Sequence, residues 1–248
     1  CTIIRTIFDY ADTMGILNDA IIIRRLEKYR KDMPQPVEKN HLYREMSEAE
    51  IGKLLYLIEG SKMRWTLQTS VALRLAPYVM LRPNELCGAR WEEINLNAAE
   101  WLIPASRMKP GRDHLVPLPR QAVELFLEIR PFSGANEFVF PSPRKHRAPI
   151  TTMSLIQSLR RIGYASTREE GDAFVTHGFR GMASTTLHQR LKFNSDVVEL
   201  QLSHVDQNRV KTAYNQITTR SYLDDRREML QKYADYLDAL REKAASQE

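Results

Sequence analysis

Cysteine is scarce: the chain has two, Cys1 and Cys87. Two thiols cannot make a disulfide framework or a four-thiolate zinc site, and such sparse usage fits a reducing cytoplasm. Long apolar runs are missing. The longest, such as residues 20–23, fall far short of the roughly 20 residues of a membrane span, so no membrane partner is expected. Residues 1–30 carry acids and bases throughout and lack the apolar stretch of a signal peptide. No glycine-rich phosphate loop of the Walker or Rossmann kind occurs, so neither ATP nor a dinucleotide, nor any other cofactor, is expected. Acidic clusters with metal-ligand spacing are also lacking, which disfavours two-metal nuclease chemistry. Internal repeats and low-complexity blocks are absent.

What is present is ordinary globular composition: 248 residues, 43% hydrophobic and 27% charged. At about 100–200 residues per domain this is one large domain, or one and a fraction. The start at Cys1, inside an amphipathic pattern, reads as a piece of something longer. The net charge of +5 is uneven. Residues 141–168 hold six bases (Arg144, Lys145, Arg147, Arg160, Arg161, Arg168) and no acid. Residues 221–248 hold five bases and seven acids. A basic body with an acidic tail fits a polyanionic partner, most simply nucleic acid, although a solvated loop would show the same bases.

The periodicity predicts helices over 3–14, with Gly15 as C-cap, and over 18–31, then a proline-bearing linker near 33–40. Ser47 and Glu50 form a capping box. The helix over 66–80 should stop near Arg82-Pro83. Residues 100–104 and 114–118 read as an antiparallel hairpin with Lys109 near its tip. Further helices are expected at 120–130, 151–163, 178–191, 195–202 and 220–240, with a short extended segment at 138–140. The fold class is therefore mainly α with a small antiparallel β-sheet.

Six residues stand out by context: Arg82 before Pro83, Lys109 at the hairpin tip, His177 and Arg180 spaced as His-x-x-Arg at a helix start, His204 and Tyr214. Cleaving a DNA phosphodiester without a metal needs donors for the non-bridging oxygens, which arginines and a helix N-terminus supply. It needs a proton for the leaving 5′-oxygen, which lysine supplies. A nucleophile that conserves the bond energy is also required, and a tyrosine ester does that without ATP. Each residue alone has a plainer reading: a salt-bridged arginine, a solvated lysine, a capping histidine, a core tyrosine. Their order along the chain carries the weight.

The order resembles the tyrosine recombinases, specifically the integrases of prophages and genomic islands. Residues 177–185 (HGFRGMAST) resemble the family's His-Gly-x-Arg block, and residues 197–204 (VVELQLSH) its second histidine block. Residues 213–215 resemble the nucleophile motif and 227–237 the C-terminal helix, with Tyr233 where Trp is usual. Residues 81–86 fit the first arginine block, and Met108-Lys109 with 114–118 the lysine hairpin. The resemblance implies Arg82, His177, Arg180 and His204 as the phosphate-activating set, Lys109 as general acid, Tyr214 as nucleophile and Glu85 as support for Arg82. Arg107, Arg112, Arg144, Lys145, Arg147, Arg160 and Arg161 are expected to contact DNA.

The implied organisation is a core-binding remnant at 1–33, a linker at 34–42 and a catalytic domain at 43–248, with 220–241 a docking helix. The implied partners are duplex attachment sites, three further protomers in a homotetrameric synapse, a DNA-bending host factor and an excisionase. The setting would be the bacterial cytoplasm, on the nucleoid. A type IB topoisomerase-like strand transferase and a silent DNA-binding regulator are the competing readings.

Overall fold

The computed structural model describes residues 10–11, 13–15, 45–61, 64–145, 147–164, 174–203 and 218–247. The chain divides into two compact units, Cys1–Leu42 and Tyr43–Glu248. In the first, Tyr10, Ala11 and Thr13 are helical and Gly15 has φ +68°, the left-handed conformation a glycine C-cap takes. The second expected helix and the linker lie outside the described residues.

In the second unit, Ser47 opens α1 (Glu48–Gly60) with the expected capping box. Its hydroxyl accepts from Glu50 N, and the Glu50 carboxylate accepts from Ser47 N at 2.8 Å. Helix α2 (Leu67–Val79) is the hub, buried along nearly its whole length. It ends earlier than expected and for another reason. Met80 turns left-handed, with φ 57°, and Pro77 lies in the last turn. Pro83 instead occupies the first position of the next helix, α3 (Pro83–Cys87), where a missing N–H costs nothing.

A three-stranded antiparallel sheet follows: β1 (Ile94–Asn95), β2 (Glu100–Ile103) and β3 (His114–Pro117), in that order. β2 and β3 form the expected hairpin, with Trp101 opposite Val116 and Ile103 opposite His114. Trp101 is fully buried and meets Phe126 edge to face at 5.6 Å, which seats the sheet on α4 (Arg120–Ser133). Residues 141–149 form a loop closed at its base by bridging of Pro141 to Pro149. It leads into α5 (Thr152–Arg161). Helix α6 (Gly178–Thr185) runs on into a π-helical turn, Thr186–Arg190. Helix α7 (Ser195–Gln201) follows.

The last helix, α8 (Leu223–Ala245), starts later and runs further than its periodicity predicts. Thr218 and Ser221 hold a turn ahead of it, and Tyr222 is left-handed. Its apolar face (Met229, Leu230, Tyr233, Ala234, Leu237, Leu240) is buried within the unit. Tyr78 Oη donates to Asp238 of α8, and Tyr236 Oη donates to Glu48 of α1, each at 2.8 Å. At Gly52 of α1 an added Cβ would overlap the Leu240 carbonyl oxygen, so glycine permits the close approach of these two helices. Among the described residues no helix is long and apolar enough to cross a membrane.

Candidate active site

Arg82 precedes Pro83, which restricts it to extended backbone, and it takes φ −67° and ψ 145° as the N-cap of α3. The Glu85 carboxylate, 3% exposed, accepts from Arg82 N at 2.9 Å and from Arg82 Nη1 at 3.0 Å. Glu85 therefore holds Arg82 at both its backbone and its side chain.

Arg180 lies on the first turn of α6 and is 5% exposed. Its Nη1 donates to the Met80 carbonyl and its Nη2 to the Leu202 carbonyl, the latter at 2.5 Å. Both acceptors cap helix C-termini, of α2 and of α7. Carbonyls there lack intrahelical partners and carry partial negative charge. Two helices thus end where they can hold one guanidinium. His177 is the N-cap of α6, exposed, with no hydrogen bond from its side chain to the helix start.

Lys109 is exposed on the turn between β2 and β3. Arg82, Glu85, Lys109 and His177 line one open cleft of about 720 Å³. Arg180 does not line that cleft, and His204 and Tyr214 lie outside the described residues.

A second cleft, of about 780 Å³, is lined by Arg144, Lys145 and Arg161 together with Trp65, Thr66 and Ser154. Asn84 and Thr152 line both clefts, so the two adjoin. Arg112, Arg147 and Arg160 are exposed.

Arg107 is half-buried and lines the first cleft as well. Its guanidinium pairs through Nη1 with the buried Glu93 carboxylate and donates from Nη2 to the Glu85 carbonyl at 2.7 Å.

Three residues with no role expected from the sequence also belong to the surroundings. Arg226 of α8 is 1% exposed and donates to the Gln201 side chain and to the Leu115 and Thr219 carbonyls. Burial pulls its guanidinium down to about 10. His114 is 4% exposed, and its Nε2 has no partner among the described residues. Burial, then the charges of Arg226 and Arg180, push it down to about 3. Gln201 lies two positions before Ser203 and joins both through its side chain and backbone. Only burial reveals these residues, and burial is not legible at single polar positions.

Residues 44–220 match the model of the phage integrase family. The chain belongs to that family. Over 246 residues this integrase-family chain is 37% identical to the prophage integrase IntA of Escherichia coli K12, covering 96% of this chain and 54% of IntA. It spans about half the length of the curated relatives it matches. Its fold is similar to the integrase of mycobacterium phage Brujita (TM-score 0.56, 16% identity, 92% of this chain and 68% of that one). It is also similar to a lambda integrase solved as a tetramer bound to a Holliday junction (TM-score 0.55, 15% identity, 82% and 56%). The mainly helical architecture with a small antiparallel sheet is thus that of tyrosine recombinase catalytic domains.

Proposed function

We propose that this chain carries the strand-cleaving and rejoining site of a site-specific recombinase that integrates or excises a mobile element. The convergence of Arg82, Lys109 and His177 on one open cleft, with Arg82 held by a buried carboxylate, carries the reading. Arg82 and Arg180 hold the non-bridging oxygens of the scissile phosphate with paired N–H donors. Tyr214 Oη attacks phosphorus. The Tyr–O–P bond forms as the P–O5′ bond breaks, and the departing 5′-oxygen takes its proton from Lys109 Nζ. His177 and His204 donate to the phosphate or accept the tyrosine proton. The 3′-phosphotyrosine keeps the energy of the broken bond, so resealing asks for no ATP, and the side chains named supply the charge a metal would.

The substrate is duplex DNA bearing attachment sites, entering over the basic surface of Arg144, Lys145, Arg147, Arg160, Arg161 and Arg112. Four protomers act in one synapse, helped by a DNA-bending host protein and an excisionase, on the bacterial nucleoid. Residues 1–33 are the end of a core-binding domain, joined by a linker at 34–42 to the catalytic domain at 43–248. With the apolar face of α8 spent inside its own chain, docking on a neighbour falls to its acidic outer face (Asp224, Asp225, Glu228, Asp235, Glu242).

The test is covalent capture on a nicked suicide duplex carrying an attachment site. The chain should form a 3′-linked adduct, and Tyr214→Phe should form none while binding DNA as before. An adduct formed by the Phe variant refutes the nucleophile.

A further inference from the structure

We infer that Arg107 is a positioning residue for the general acid: it sets the turn that carries Lys109 against the helix that carries Arg82. The inference rests on Lys109 being the acid, as proposed above.

Lys109 is exposed, and an exposed lysine on a turn has no reason to stay in one place. The turn itself is tied down at three points. Asp113 closes it by accepting from Ala105 N at 2.8 Å. Met108, next to Lys109, is 5% exposed and belongs to the core. Arg107, two residues before Lys109, reaches away from the turn to the buried Glu93 and to the Glu85 carbonyl.

Both ends of that reach matter. Glu93 is itself fixed, accepting from Trp101 Nε1 of β2 at 3.1 Å and from Arg90 N at 3.2 Å. Glu85 holds Arg82 through its carboxylate and Arg107 through its carbonyl. One residue thus links the hairpin to the first arginine. Even the approach is shaped for it, because a Cβ at Gly88 would stand 2.9 Å from Arg107 Nη2. A planar fork with fixed donors suits this double attachment, and a lysine would make only part of it.

Lys109 protonates the 5′-oxygen as the P–O5′ bond breaks. A 5′-bridging sulfur needs no such proton, because a thiol with a pKa of about 8.5 departs as thiolate. A defect that acts through Lys109 must therefore vanish on the sulfur substrate, and a defect in folding or DNA binding must not.

The experiment measures single-turnover cleavage by the full chain on suicide duplexes with oxygen or sulfur at that position. Arg107→Met should slow the oxygen substrate roughly 10²-fold, the lower range of a general-acid contribution. On the sulfur substrate it should come within about 3-fold of the wild-type chain, as Lys109→Ala should. Arg107→Lys should fall between. Because Arg107→Met strands the Glu93 charge, the pair Glu93→Gln with Arg107→Met serves as the folded control and should show the same rescue.

Equal slowing of both substrates by the Met variants, or no slowing of either, overturns the inference. So does a loss of DNA affinity with a salt slope smaller by about 1, which would return Arg107 to the phosphate-contacting set. If Lys109→Ala is not rescued by sulfur, the assignment of Lys109 fails instead, and the inference with it.

Discussion

His114 makes the stability of this domain depend on pH in a window that can be worked out. Its ring is buried against the charges of Arg226, Arg180 and Arg82, and only a Gln201 backbone hydrogen bond favours its charged form. Burial and those cations lower its pKa from 6.5 to about 3. The native state therefore keeps the ring neutral, while the unfolded chain binds a proton below pH 6.5. Stability is fully present above 6.5 and falls as pH drops towards 3, by about 1.4 kcal/mol per unit. Between pH 7.5 and pH 5.0 the loss from this residue alone is about 2 kcal/mol.

Other groups titrate in the same range, so the quantity to measure is a difference. Urea unfolding of the wild-type chain and of His114→Asn, at pH 7.5 and 5.0, gives four free energies. Asn keeps a polar side chain of similar reach and does not titrate. The gap between wild type and variant should shrink by about 2 kcal/mol on going to pH 5.0. A gap that does not change with pH refutes the reasoning, because a neutral buried ring is the only source of that term.

Three further perturbations probe the packing and the basic surface. Gly52→Ala should destabilise by about 1–2 kcal/mol in urea, because overlap with the Leu240 carbonyl outweighs the roughly 1 kcal/mol alanine normally gains in a helix; a more stable variant would mean that α1 and α8 separate freely. Arg226→Met should cost about 3 kcal/mol by urea unfolding, since it strands the Gln201 amide and the Leu115 and Thr219 carbonyls together. Reversing Arg144 and Lys145 to Glu should lower the slope of log K against log salt for DNA binding by about 2, at about 0.9 per lost phosphate contact, and an unchanged slope removes them from the interface.

Local signals in the chain were reliable where the physics is local. The Ser47–Glu50 box and the β2–β3 hairpin both follow from residues a few positions apart. The misses are non-local or very short. β1 has two residues, too few for any alternation, and exists because Ile94 finds Trp101 across the sheet. Helix α2 stops at a left-handed Met80, not at Pro83, and nothing in a methionine announces that. The start of α8 is delayed by the Thr218–Ser221 turn, whose side-chain hydrogen bonds compete with the helix.

The site divides along the same line. Arg82, Lys109, His177 and Arg180 stood out because their neighbours carry the motif, and Glu85 because it stands where the resemblance implies an acidic partner for Arg82. What holds these groups in place was not legible. Arg107 finds Glu93 across 14 residues, Arg180 finds Met80 across 100, and Arg226 finds Leu115 across 111.

Each of these pairings spends a cation on carbonyls or a buried carboxylate before any phosphate arrives. Arg180 is the informative case. A buried guanidinium satisfied by two helix-end carbonyls cannot swing away, because leaving would strand both acceptors and the charge at once. Its guanidinium is therefore fixed relative to α6 by folding alone. In the reaction proposed above, which works by charge stabilisation, that arrangement moves the ordering cost from the reaction into folding.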